Sequence, residues 1–212
     1  MPGENIDKII IELKRLYPDA GCSLKYGTPL QLLISTQLAA QCTDARVNIV
    51  TPGLFLRYKD AKAFAEADIN ELEDYIRSTG FFHNKAKNIK NCCKKIIDNF
   101  DGKVPNTMEE LLTLDGVGRK TANLVLGDAF GQPSVVVDTH AGRISRRLGL
   151  TKNMDPEKVE TDLRNILPRD ESSDFCHRLV MHGRAVCRSR KAQCDKCTLS
   201  NLCDKNFSFE VK

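Results

Sequence analysis

The sequence predicts an all-α protein, and three observations carry that reading. Apolar residues recur at helical spacing along most of the chain, helix caps and helix stops punctuate it, and its only β-like run, Val135-Val136-Val137, is too short to build a sheet.

The elements follow in order. Ile6, Ile9, Ile10, Leu13 and Leu16 mark a first amphipathic helix that stops before Pro18. Gly27, Thr28 and Pro29 open a second, and its almost uncharged stretch from Leu30 to Ala40 predicts burial nearly all round. That helix ends in Gln41-Cys42-Thr43-Asp44, where Thr43 or Asp44 can cap the next. Asp68 to Glu71 has the form of a capping box, and Gly80 fits the stop. A helix from about Asn84 to Phe100 places Ala86, Ile89, Cys93, Ile96 and Phe100 on one face. Asp101, Gly102 and Pro105 then break the chain, and Thr107 starts a short helix leading into Leu114-Asp115-Gly116-Val117-Gly118-Arg119-Lys120. Further helices are expected near 139–148, 156–166 (Asp155 cap, Pro156 in the first helical position) and 173–186.

At 212 residues, with 41% hydrophobic and 28% charged, the chain can bury a good core and is not of a disordered type. No apolar run approaches the roughly 18 residues of a membrane span. Met1-Pro2-Gly3-Glu4-Asn5 lacks the basic start and apolar block of a secretory leader, which predicts a cytoplasmic protein whose cysteines are reduced or metal-bound. The net charge of +4 is unevenly spread: residues 176–212 carry +5 and residues 1–175 carry −1. The basic excess is therefore a C-terminal footprint suited to an anionic partner.

The glycine turn is the first chemical signal. Glycines at 116 and 118 permit positive φ and close approach, and the following helix adds the positive end of its dipole, so a phosphate oxygen fits there. The spacing is not that of a nucleotide-binding loop, and an ordinary tight corner between helices would look similar. Lys120 falls on the first turn of that helix. Dipole and partial burial would both lower its pKa and leave a fraction of neutral amine, a usable nucleophile toward an aldehydic carbon. A lysine so placed otherwise serves only as a phosphate contact. Asp138, after three valines, is expected to cap the helix that begins at Thr139. Paired with Lys120 it would favour the charged amine, so its chemical value would lie in stabilising a developing cation or in taking a proton.

The second signal is Cys187, Cys194, Cys197 and Cys203, spaced C-x6-C-x2-C-x5-C. Four thiolates so close imply a metal, and the spacing alone leaves zinc and an iron–sulfur cluster open. Arg188, Arg190 and Lys191 lie between the first two, so the metal would close a basic loop able to reach phosphates. Cys22, Cys42, Cys92, Cys93 and Cys176 read as core thiols.

Together, L-D-G-V-G-R-K-T-A-N, V-D-T-H and the cysteine spacing resemble the endonuclease III type of the helix-hairpin-helix (HhH-GPD) DNA glycosylases. The likeness extends to Gln41–Asp44 and to Gly80–Ala86, nearly the whole chain. It implies two helical domains, 22–133 with the hairpin and 1–21 plus 134–212 with a [4Fe–4S] cluster held by the four cysteines, and a DNA cleft between them. It implies Lys120 as the amine that attacks C1′ and Asp138 as the essential carboxylate, in a bifunctional glycosylase and abasic-site lyase that removes oxidised pyrimidines and nicks by β-elimination. The implied partner is double-stranded DNA with damaged bases or abasic sites, bound by a monomer. Expected DNA contacts are Gln41 and Phe81 as wedges, Gly116, Gly118 and Arg119 of the hairpin, His140 and Arg143 after the acid, and Arg188, Arg190 and Lys191 of the basic loop.

Two positions depart from the pattern. Asp115 stands where proline is frequent, which predicts a looser turn with a negative charge beside the phosphate site. Gly142 stands where larger residues are common, so the family's contacts on that side of the cleft do not carry over to it. An adenine-specific mismatch glycosylase would need a glutamate on the second helix, and Leu30–Gln41 holds no carboxylate. A noncatalytic hairpin module that only grips phosphates is the alternative reading, and the basic setting of the cysteines disfavours an electron carrier.

Overall fold

The computed structural model describes residues 5–209; the leader reading at residues 1–4, and the charges of Glu210 and Lys212, lie outside them. Eleven α-helices are found among the described residues, with no strand, only an isolated bridge between Cys187 and Ala192. None of these helices is long and apolar enough to cross a membrane. The valine run at 135–137 is extended, and Val135 and Val136 are buried without a strand partner.

The chain divides into two compact units, Cys22–Gly131 and Met1–Gly21 with Gln132–Lys212. In the first, α2 (Pro29–Ala39), α3 (Asp44–Arg57), α4 (Ala61–Ala65), α5 (Ile69–Ile76) and α6 (Phe82–Phe100) enclose one core with the hairpin helices α7 (Met108–Leu111) and α8 (Arg119–Leu124). Helix α2 buries Leu32, Leu33, Ile34, Ser35, Gln37 and Leu38, which amounts to nearly every side. Thr28 caps it by accepting from the Gln31 N–H, and Thr43 caps α3 through Arg46 in the same way. The α4 helix, capped by Asp60, is too short for periodicity to reveal.

Two expected details differ. Asp68 accepts from the Asn70 and Glu71 N–H groups, but Glu71 does not return to the backbone as a capping box requires. Arg57 takes it instead, with Nε at 2.6 Å and Nη2 at 2.9 Å from the carboxylate. After α5 the chain tightens into a 3-10 turn, Arg77–Thr79, turns at Gly80 (φ 71°) and enters α6 at Phe82, earlier than the periodicity predicts.

In the second unit, α1 (Ile6–Leu16) packs on α11 (Ser172–Ala185), which packs on α9 (Thr139–Arg147); α10 (Pro156–Ile166) has Asp155 as cap and Pro156 at its start. The α9–α11 approach depends on Gly183, where an added Cβ would lie 2.4 Å from His140 Nδ1 and 2.9 Å from Ile144 Cδ1. All nine cysteines are unpaired by disulfides; Cys92, Cys93 and Cys176 are buried as expected of core thiols, whereas Cys22 and Cys42 are only half-buried.

Candidate active site and nucleic-acid interface

The hairpin of the 22–131 unit is built from three buried anchors, Leu111, Leu114 and Val117, which point inward and push the intervening backbone out. Leu114 N–H donates to the Leu111 carbonyl and Val117 N–H to that of Leu114. Gly116 is required twice over: its φ is 73°, and a Cβ there would stand 3.0 Å from Asn88 Cβ and 3.1 Å from Gln37 Oε1. Gly118 enters α8 in extended conformation, and no side chain caps that helix. Arg119 and Lys120 follow, both exposed. Lys120 therefore keeps its place in the first helical turn but not the partial burial expected of it, because the turn's apolar residues all face the core.

The charge of Asp115 is not left beside the turn. Lys95 Nζ sits 2.9 Å from Asp115 Oδ2 and also donates to the Thr113 carbonyl at 2.8 Å. The lysine pairs the carboxylate and ties the hairpin backbone to α6, so the looseness and repulsion expected without proline are offset.

Gln41 and Phe81, in the same unit, are both exposed and both left-handed, with φ of 53° and 48°.

In the other unit Asp138 caps α9: its Oδ1 accepts the Ala141 N–H at 2.7 Å. No further bond within the described residues engages its second oxygen, and the residue is half-buried. Capping and reactivity are thus compatible, one oxygen serving each. The His140 imidazole is pulled to lower pKa by burial; nearby Asp138 raises it, and Arg143 and Arg184 lower it further. Arg143 is turned inward, with Nη2 3.3 Å from His140 Nδ1 and donating to the Cys187 carbonyl at 2.9 Å. At Gly142 a Cβ would meet Arg146 Nη1 at 3.3 Å and Val137 Cγ1 at 3.6 Å. The arginine side chain occupies the space that a larger residue would take.

Cys187, Cys194, Cys197 and Cys203 line one cavity with Ile144, Leu148, Leu199 and Phe207. Burial pushes the Cys197 and Cys203 thiols to higher pKa, and the neighbouring cysteines add to it. Arg147, His182 and Lys205 line the same cavity, so four sulfur donors face a largely apolar space edged by polar and cationic side chains, a donor set that fits a group bound through thiolates. No three His, Cys, Asp or Glu among the described residues, however, are arranged to hold a metal ion.

Arg147, a residue the sequence reading passes over, organises the loop between the first two cysteines. It is 2% exposed. Its guanidinium donates to the carbonyls of Arg188 and Ser189 at 2.9 Å and to Cys187 Sγ at 3.1 Å. It stacks on the Phe207 ring, and its own carbonyl accepts from Cys203 Sγ at 3.1 Å. With the loop backbone held from below, Arg188, Arg190 and Lys191 are all exposed. The available signal was a charge between Ile144 and Leu148 on an otherwise apolar helix face.

The family model described as HhH-GPD superfamily base excision DNA repair protein matches residues 34–169. An endonuclease III of Synechocystis is 57% identical over 197 residues, covering 92% of this chain and 90% of that protein. The Bacillus subtilis endonuclease III is 40% identical, covering 99% and 96%. Among solved structures, a non-covalent endonuclease III–DNA complex superposes with TM-score 0.91 at 42% identity, covering 97% of this chain and 96% of that one. A trapped endonuclease III–DNA covalent intermediate with an estranged adenine does so with the same score and identity, covering 97% of each.

If Arg147 holds the basic loop, Arg147→Ala should speed amide hydrogen exchange at residues 188–193 by about tenfold or more without unfolding α9. Arg147→Lys should recover only part of the protection, since an ammonium cannot fork between two carbonyls as a guanidinium does.

Proposed function

The chain belongs to the HhH-GPD superfamily of base excision DNA repair proteins, within its endonuclease III group, and from that premise we propose how its residues carry out the reaction. It is a bifunctional DNA glycosylase and abasic-site lyase. The observation that carries the residue assignment is an exposed amine, Lys120, in the first turn after a hairpin whose glycine is locked against α2 and α6.

Lys120 Nζ attacks C1′ of the damaged nucleotide as the glycosidic bond breaks, and the departing base takes up a proton. Loss of the ring oxygen bond gives an imine between Lys120 and C1′. Removal of a C2′ proton then expels the 3′ phosphate, which is the β-elimination that nicks the strand. Asp138 acts through its uncommitted oxygen, stabilising positive charge at the sugar or accepting a proton, while the other oxygen keeps the residue fixed as a helix cap. The substrates are oxidised pyrimidines and abasic sites in duplex DNA.

The target nucleotide must leave the stack, at a cost of a few kcal/mol that is smallest where the base is damaged or mispaired. Gln41 and Phe81, exposed on left-handed turns, are suited to fill the gap. Gly116, Gly118 and Arg119 receive backbone phosphates, and Arg188, Arg190 and Lys191 extend that contact. His140 and Arg143 support the Asp138 end of α9 from within the protein.

Cys187, Cys194, Cys197 and Cys203 would hold a [4Fe–4S] cluster, whose four thiolate bonds pin a segment with little apolar sequence of its own. The cysteine spacing alone would also suit a single zinc, and membership of the endonuclease III group is what favours the cluster. The reading carries with it a monomer working in the cytoplasm, at the nucleoid of a prokaryote.

Borohydride should trap wild type on abasic duplex and should not trap Lys120→Gln; equal trapping by both would remove the lysine from the reaction. Asp138→Asn should bind the same duplex but release base at roughly a hundredth of the rate in single turnovers. Lys95→Ala should weaken duplex binding several-fold, about 1 kcal/mol, by unmasking Asp115, and adding Asp115→Asn should restore it. Elemental analysis of the anaerobically purified protein should give iron and acid-labile sulfide in equal amounts and little zinc.

A further inference from the structure

Gln41 and Phe81 share a backbone state that side chains other than glycine rarely adopt. Each sits just beyond the end of a helical segment: α2 closes at Ala39, and the 3-10 turn closes at Thr79. Between those two ends lies Lys85 of α6, which is 6% exposed. Its Nζ donates to the Leu38 carbonyl and to the Thr79 carbonyl, each at 2.8 Å. Leu38 precedes Gln41 by three residues and Thr79 precedes Phe81 by two. One buried amine therefore fastens the roots of both exposed turns.

Packing alone does not call for a lysine here. No carboxylate pairs with it among the described residues, and burial lowers its pKa, opposed only by nearby Cys42. Methionine or leucine would fill much the same space without burying a charge. What lysine adds is a charged fork reaching two unpaired carbonyls at once, at helical ends where a cation is favoured. The Phe81 side is further braced by Arg77 over the Phe82 ring at 4.7 Å and by His83 on Glu73 at 2.7 Å. Neither of these reaches the Gln41 turn, so Lys85 is the shared tie.

We propose that Lys85 is a positioning residue that sets the spacing of the Gln41 and Phe81 turns, so that the two side chains enter the duplex as a single two-pronged wedge. The proposal rests on reading Gln41 and Phe81 as wedges. A fixed spacing would mean that neither side chain has to find its place separately while the damaged nucleotide is leaving the stack.

The test uses a duplex with a fluorescent aminopurine beside a tetrahydrofuran abasic analogue, so that wedge insertion is read as a rise in fluorescence. Borohydride trapping on single-stranded abasic DNA, which needs no wedge, reports a folded and reactive protein. Lys85→Met should slow the fluorescence rise roughly tenfold while single-strand trapping stays within about threefold of wild type. Lys85→Arg, which keeps a charged donor for both carbonyls, should recover most of the rate. A wild-type rise in Lys85→Met overturns the brace. So does a loss of both signals in the Met and Arg variants together, since that marks a general packing residue. Should Gln41→Ala and Phe81→Ala each leave the rise unchanged, the wedge reading itself falls, independently of how Lys85→Met behaves.

Discussion

The last carbonyls of a helix have no partner inside it, and a chain made only of helices meets that deficit at every turn it builds. Here long cations close it from the side at Leu38 and Thr79, and the same device holds carbonyls in the turns and loops beyond other helix ends. Lys95 takes the Thr113 carbonyl in the hairpin, Lys85 takes those of Leu38 and Thr79, Arg147 takes those of Arg188 and Ser189, and Lys90 takes that of Ala67. Charge-assisted bonds of this kind contribute roughly 1.5–3 kcal/mol each when the donor is shielded from water. Three of the four lie under the segments assigned to function. The turns that meet DNA in the proposed reaction are therefore loops fastened to helices rather than flexible connections.

This arrangement separates the holding of a segment from its display. Buried atoms fix the backbone: Gly116 against Asn88 and Gln37, Lys85 beneath two turns, Arg147 under the basic loop. The side chains that would touch substrate then stand exposed on that fixed backbone, as Lys120, Gln41, Phe81 and Arg190 do. An amine that must reach a sugar carbon gains from such a footing, since a misplacement of about 1 Å can cost on the order of a hundredfold in rate. Asp138 follows the same division within one carboxylate, one oxygen holding the helix and the other left to act.

The sequence was legible where a local rule decides the outcome. Thr28, Thr43, Thr107 and Asp155 each cap the helix they precede, because the cap and its N–H partner lie within three residues. The three valines make no strand, since no second run exists to pair with them. Legibility ended where partners are distant. Nothing near Asp115 announces that Lys95, a helix away, neutralises it; nothing near Glu71 shows that Arg57 draws it from the backbone; and the room at Gly142 is filled by Arg146. The inward turn of Arg143 belongs to the same class, being set by the Cys187 carbonyl far along the chain. The resemblance singles out candidate residues, and tertiary contacts set their environments.

The C-terminal charge excess shows how far a count can stand from a surface. Arg178 contributes to it on paper, yet its guanidinium is buried against Glu171 and Asp174, at 3.1 and 2.8 Å, and presents no positive face. Asp204, counted on the acidic side, is folded back onto Gly149, where an added Cβ would lie 1.9 Å from its carboxylate oxygen. The cations that remain displayed between the first two cysteines are Arg188, Arg190 and Lys191, and they are displayed because Arg147 holds their backbone from within. The residue that shapes the basic surface is thus a buried arginine on α9, outside the segment that carries the net positive charge. The same helix begins at Asp138, so the carboxylate of the proposed chemistry and the support of the basic loop are fixed at its two ends.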